Sequence, residues 1–403
     1  MRAGMDDTLI ERLADLVVSF GANVQPGQVV ALGTELGKEE LTRAIVKRCY
    51  ERGAVHVDYQ YDDLHLKRAR ILYAADDALG DEPGWTVTRP RELGEKGGAM
   101  IGLSGPVETD LLNGLDPDRL RRDRFPGVKE WMALSSGGAV NWSVGPCATP
   151  QWAGLVHPDL AADEALDRLW EKIAHACRLD EEDPVASWRA RVDVLRLACE
   201  KLTEARFDAL HVTGPGTDLT VGLLASSKWL GAEETTTGGL VFHPNLPTEE
   251  VFTGPDPAKA DGVVRASRPF VVEGTIVRDL VVTFEGGRAS SVDASTGADA
   301  VRAVISRDDD AARLGEFALV DDATRIGAMQ TIFYDTLFDE NAASHMAFGS
   351  AYTASVEDGA DRERLNQSEV HMDFMFGSPE VLVTGIRASG ERVPLLDGGR
   401  WAI

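Results

Sequence analysis

Cysteine, positive charge and long apolar runs are scarce in this chain of 403 residues. The four cysteines, Cys49, Cys147, Cys177 and Cys199, are far apart and form no CxxC pair. That excludes a disulfide framework or a thiolate zinc site and fits reduced thiols in a reducing compartment. With 41 basic against 66 acidic side chains the net charge is −25, and no basic patch interrupts it. Such a surface repels phosphate backbones and anionic lipid, so neither nucleic acid nor a membrane is an expected partner. The long uncharged stretch Trp131 to Leu155 is broken by Pro146, Pro150 and several glycines, which excludes a membrane span of about 20 apolar residues. The N-terminus, MRAGMDDTLIERLADLV, carries acids where a signal peptide needs an apolar core, so a cytoplasmic location is expected. Asn141 and Asn366 head N-x-S sequons that carry no meaning without secretion.

What is present is an ordinary globular composition, 43% apolar and 27% charged, at a length that suggests more than one domain. The periodicity predicts a helix over Thr8 to Phe20, a strand at Gln28 to Leu32, a helix over Lys38 to Arg52 and a strand at Ala54 to Tyr59. Strands separated by helices in this way point to βαβ units and a parallel sheet. Gly27 and Gly33 flank the first strand without a GxGxxG or a P-loop, so nucleotide binding is not expected. Helices are predicted over Pro158 to Leu179 and Pro184 to Leu202, joined by the acidic connector Asp180 to Pro184. Beyond it strand-like runs dominate, with Glu285-Gly286-Gly287-Arg288 as a hairpin turn. Only Ala298 to Ile305 and the region Thr331 to Phe348 read as helix there. The expected architecture is an α/β N-terminal domain, residues 1–183, followed by an α+β C-terminal catalytic domain rich in antiparallel strands, residues 184–403.

The groups able to do chemistry gather in the second half. His371 and Asp373, two apart on a predicted strand, project to one face, either toward a metal or simply toward each other. The segment Tyr334 to Tyr352 is dense in polar groups, with Asp339, Glu340, Asn341, His345 and Tyr352 separated by small residues. On a helix from Asn341 to Phe348, Asn341 and His345 would share a face, with Glu340 well round from them; the same residues would also serve as an ordinary helix start capped by Asp339 or Asn341. Glu249 and Glu250 lie in a proline-bounded loop, and Glu316 stands alone in an apolar strand, where a carboxylate is costly to bury unless paired or metal-bound. There is no HExxH and no GxSxG. Carboxylates with two histidines form an oxygen-rich set able to hold two divalent ions.

The runs NLPTEEVFTGP at 245–255, LGEFALV at 314–320, YDTLFDENAASHMAFG at 334–349 and HMDFMFG at 371–377 resemble the signature blocks of the M29 family of metalloaminopeptidases, the aminopeptidase T and aminopeptidase S group. The similarity extends to NVQPG at 23–27 and to Val140–Ala153, hence over nearly the whole chain. The resemblance implies a dinuclear site for divalent zinc, cobalt, manganese or magnesium, peptide substrates, and a homodimer whose active sites face an internal cavity. It implies Glu250, Glu316, His345, His371 and Asp373 as metal ligands. Glu250 rather than Glu249 is taken because it occupies the family ligand's place in the Thr-Glu-Glu step. Tyr352 matches a tyrosine close to the metals, and Glu340 falls on a position that serves as ligand or proton carrier. Glu340 or Glu249 would move the proton of the attacking water, and Tyr352 would donate to the oxyanion. A second reading is a ring-cleaving dioxygenase for dihydroxypyridines, with one non-haem iron held by His345, His371 and Asp373; Glu250 and Glu316 would then be superfluous. A binding protein without catalysis on the same fold is the third.

Overall fold

The computed structural model describes residues 7–108, 111–112, 114–123 and 127–403. The first six residues, part of the stretch read above for targeting, lie outside the described residues. The chain forms two compact units, Met1–Trp188 with Glu233–Leu246, and Arg189–Ala232 with Pro247–Ile403.

In the first unit, four strands lie in the order His56–Asp62, Val29–Glu35, Ala99–Ser104, Asn141–Pro146, and every neighbouring pair is parallel. Parallel neighbours cannot be joined by a tight turn, so the connections carry helices, as the alternation of patterns predicts. The Glu39–Glu51 helix begins with two acidic residues, a favourable placement at the positive end of the helix dipole. The helix expected over Thr8 to Phe20 is an α-helix only over Asp7–Asp15 and widens into a π-helix over Leu16–Gly21. The wider turn buries Leu16, Val17, Val18, Phe20 and Gly21 together, more than one 3.6-residue stripe could. Gly21 permits this, because a Cβ there would sit 2.6 Å from Ser143 Oγ. The helix expected from Pro158 starts instead at Ala162, since Pro150–Val156 forms its own turn capped by the Thr149 hydroxyl. Both sequon asparagines are buried, at 1% and 3% exposure, and their side chains bond to backbone carbonyls.

The second unit holds two antiparallel sheets. The larger has eight strands, ordered Arg288–Asp293, Val281–Glu285, Pro255–Arg265, Thr217–Leu223, Ala209–Gly214, Leu382–Ile386, Arg392–Asp397, Arg400–Trp401. Its Glu285–Arg288 hairpin turns through Gly286 and Gly287, both at positive φ, as a two-residue turn of this hand requires. The smaller sheet has four strands, ordered His371–Met375, His345–Gly349, Leu314–Val320, Glu250–Thr253. One of its faces is apolar: Phe317, Phe348 and Phe374 are fully buried, and Phe348 meets both Phe374, at 5.4 Å between ring centres, and Phe284 of the larger sheet, at 5.6 Å. Aromatic pairs at these separations contribute about 0.5–1.5 kcal/mol each beyond area burial. The other face is where the polar groups go. Among the described residues no helix is long and apolar enough to cross a membrane.

Candidate metal centre

Each strand of the four-stranded sheet delivers at least one of the carboxylates or imidazoles singled out in the sequence. Register decides that they meet. Glu316 pairs with Ala347, which pairs with Asp373; His345 pairs with Ala318; His371 pairs with Gly349; and Glu250 pairs with Val320. Residues paired directly across strands share a face, so Glu250, Glu316, His345, His371 and Asp373 all project to the side opposite the phenylalanines. Between them stand Ala318, Ala347 and Gly349, whose small size leaves the face open.

The distances are short. His345 Nε2 lies 3.0 Å from Glu250 Oε2 and 3.3 Å from Glu316 Oε1. His371 Nε2 lies 3.3 Å from Asp373 Oδ1 and 3.8 Å from the second Glu316 oxygen. Two overlapping trios result, Glu250–Glu316–His345 and Glu316–His371–Asp373, each with its ligand atoms within 4.8 Å of one another and with Glu316 in both. Among the described residues, Glu250, Glu316 and Asp373 form ion pairs with these two histidines alone.

Burial makes this accumulation of charge unstable without a cation. Glu316 is raised above the ordinary carboxylate range by burial, with Glu250 and Asp373 adding to the rise and His345 opposing it. Burial disfavours charge on His345, but Glu250 and Glu316 outweigh it and raise its pKa well above the usual imidazole value. The His371 side chain is 34% exposed; the packing around it lowers its pKa, Asp373 and Glu316 outweigh that, and it reaches about 10. Protons on the imidazoles therefore serve as the cations of the metal-free site. A divalent ion would replace them.

The donor set fits such ions. Glu250 Oε2 and Asp373 Oδ1 are buried and accept no hydrogen bond of good geometry. His345 Nδ1 faces the Ala343 carbonyl at 3.3 Å, and His371 Nδ1 faces the Ser350 carbonyl at 3.0 Å. A carbonyl only accepts, so Nδ1 carries a proton in both rings and Nε2 is the atom turned to the cluster, the usual orientation of a metal-ligating histidine. Mixed carboxylate oxygen and imidazole nitrogen suits zinc, cobalt or manganese.

The helix expected across His345 does not exist. Thr336–Asp339 is one helical turn, Glu340–Ala342 a 3-10 turn, and Ala343 is fully extended at φ −163°, after which His345–Gly349 is a strand. Asn341 and His345 therefore share no helix face. Asn341 instead accepts from the Glu249 N–H at 2.6 Å and donates to Leu337 O at 3.0 Å. Short apolar stretches satisfy both periods, and here sheet pairing on both edges won. Glu340 sits beside the cluster in neither trio, its carboxyl 3.4 Å from Asn341 Nδ2. Burial, then Glu250 and Asp373, raise its pKa well above the carboxylate range. Glu249 faces away, fully buried, and is paired with Arg191 at 2.5 Å. That pairing removes it as a proton carrier. Tyr352, 39% exposed, places its ring edge-on to His371 at 6.4 Å and against Phe252 at 5.3 Å. A cleft of about 460 Å³ opens beside Glu340, His371 and Asp373, walled by Phe270, Val272, Val304, Tyr334 and Met372, with Glu273 and Arg307 also lining it. Sequence reasoning missed Arg191. Its signal was its place on the buried stripe Trp188, Arg191, Val192, Leu195 of the Pro184–Ala205 helix.

Carboxylates and imidazoles converging on one sheet face, with no lysine or arginine among them, define the class as a divalent-metal protein. The family model described as thermophilic metalloprotease (M29) matches residues 6–401. Aminopeptidase T of Thermus aquaticus is 40% identical over 98% of both chains, and aminopeptidase PepS of Streptococcus thermophilus is 38% identical over 98% of both. The solved structure of wild-type AmpT from Thermus thermophilus superposes with a TM-score of 0.91 at 38% identity, covering 98% of this chain and 99% of that one. This chain belongs to the M29 metallopeptidase family and is a peptide hydrolase acting as an exopeptidase. The dioxygenase reading is not supported: the relatives are aminopeptidases, and the residues of the iron triad it needs fall in two trios, His345 in one and His371 and Asp373 in the other.

Proposed function

We propose that the chain removes the N-terminal residue from peptides at a dinuclear site, one ion held by Glu250, Glu316 and His345 and the other by Glu316, His371 and Asp373. The observation that carries this is the pair of trios joined through Glu316, whose two oxygens face different histidines. Divalent ions bound there polarise the scissile carbonyl and make water acidic enough to attack near neutral pH. Glu340, half-buried beside both trios with a raised pKa, accepts the proton of the attacking water and returns it to the leaving amine. Tyr352 supplies a hydrogen bond to the developing oxyanion from the His371 side. The cleft next to Glu340, His371 and Asp373 receives the first side chain, and the surrounding carboxylates attract the free α-amine, which confines cleavage to the N-terminus. In this reading the enzyme is a cytoplasmic homodimer.

Metal analysis of the purified protein, coupled to hydrolysis of aminoacyl anilides before and after chelation, tests the proposal. Two divalent ions per chain and activity restored by cobalt, zinc or manganese are expected. A single iron, with no hydrolysis and oxygen uptake on a dihydroxypyridine, would refute it. Light scattering checks the dimer.

A further inference from the structure

We propose that Arg191 is a positioning residue that sets the geometry of one of the two ions, the one assigned above to Glu250, Glu316 and His345. The inference rests on that dinuclear reading. Arg191 is 7% exposed and all three of its nitrogens donate: Nε to Glu249 Oε2 at 2.5 Å, Nη2 to the Glu249 carbonyl at 3.2 Å, and Nη1 and Nη2 to the two Asp321 oxygens at 3.0 and 2.8 Å. Asp321 is held in turn by Trp401 Nε1 at 2.5 Å.

What this network grips is the backbone next to a ligand. The Glu249 N–H donates to Asn341 Oδ1 at 2.6 Å, while the Glu249 carbonyl, which belongs to the peptide unit leading into Glu250, accepts from Arg191. With both groups engaged, the Glu250 Cα has little freedom to rotate its carboxylate away from His345. Asp321 follows Val320, the residue paired with Glu250, so the same guanidinium also ties the neighbouring strand end. Asn341 carries the restraint to Glu340, whose carboxyl it approaches at 3.4 Å. His371 and Asp373 lie on the opposite edge strand, and among the described residues the bonds of the network given above do not reach them. The effect of disturbing it is therefore one-sided. A lone buried arginine between two acids is by itself weak evidence for stability; its hydrogen bond to the Glu249 carbonyl, with Asn341 holding the N–H of the same residue, is what points to orientation of the site.

Two variants test this. Arg191→Lys keeps the charge and loses the planar fork, and Glu249→Gln keeps volume and backbone while weakening the grip on Arg191. Metal-free protein is titrated with cobalt, following its visible absorption, and with zinc by calorimetry. Wild type should bind two ions. In each variant one ion should bind about 10- to 100-fold more weakly, the range expected for partners that orient a ligand, while the other keeps its affinity. Activity at low metal should fall and recover in excess metal, with KM unchanged. Both ions bound as in wild type, with only a lower melting temperature, would overturn the proposal and leave Arg191 a stabilising residue. Equal weakening of both ions would also overturn it. Wild type binding fewer than two ions would instead refute the dinuclear reading itself, and that outcome is read before any variant.

Discussion

Replacing Glu316 by glutamine isolates the charge at the centre of the site. Glu316 is 5% exposed and is the one residue common to both trios, so the substitution keeps shape but takes a carboxylate from each. In the metal-free protein its raised pKa means that the neutral form is favoured when folded, so the charged carboxylate costs stability as the pH rises above its unfolded value. The metal-free variant should accordingly melt no lower than metal-free wild type at pH 8. Metal reverses the comparison. An ion at 100 times its dissociation constant stabilises by about 2.7 kcal/mol, and a unit of about 200 residues gains roughly 2–4 °C per kcal/mol. Wild type should thus gain about 5–10 °C for each ion bound, about 10–20 °C for two, and the variant less than about 2 °C, by the same conversion. Hydrolysis should fall at least about 10³-fold, equivalent to about 4 kcal/mol of transition-state stabilisation. Scanning calorimetry with and without metal, alongside metal content and anilide turnover, reads all three. A variant with wild-type activity and an undiminished thermal response would remove Glu316 from the site and the reasoning with it.

Gly349→Ala should lower stability by at least about 2 kcal/mol in urea unfolding, because φ is +90° and the new Cβ would fall 2.1 Å from the Val370 carbonyl, a backbone group that cannot swing aside; an unchanged midpoint would contradict this. Since Gly349 pairs with His371, metal retention should fall as well. Tyr352→Phe should reduce kcat about 100-fold with metal content unchanged and KM within about twofold, and wild-type kcat would exclude the hydroxyl from transition-state stabilisation. Glu234, raised by burial to about 7, favours the folded state when protonated, a contribution lost as the pH rises toward that value. Glu234→Gln should therefore leave the melting temperature nearly unchanged at pH 4 and raise it at pH 8, and the opposite order would show that Glu234 is stabilised as a carboxylate.

Much of the fold was legible because local pattern and global placement agree. The alternation of helical and strand-like segments up to Tyr59 announces parallel pairing, and Gly286-Gly287 announces its hairpin, since backbone sterics admit few other conformations. Where local and long-range demands diverged, the reading failed. His345 could join Asn341 on a helix or alternate along a strand, and only pairing to Ala318 on one side and Met375 on the other chose the strand. Glu233 to Leu246 joins the first unit although no shift in composition marks it.

The residues of the candidate site could be named from the chain because their blocks resemble a known family. Residue type also limits what a buried glutamate or histidine can do without a counter-charge. By itself, the sequence determined which groups are available for the chemistry and that an acidic chain avoids phosphate and anionic lipid. Only the tertiary structure decided that Glu316 faces both histidines, that Ala318, Ala347 and Gly349 keep the face open, and that Glu249 is locked to Arg191. Those facts depend on strand register and on side chains 58 and 130 positions apart in the chain. Periodicity reports which face a residue takes, whereas the neighbour it meets there is set by pairing between distant strands.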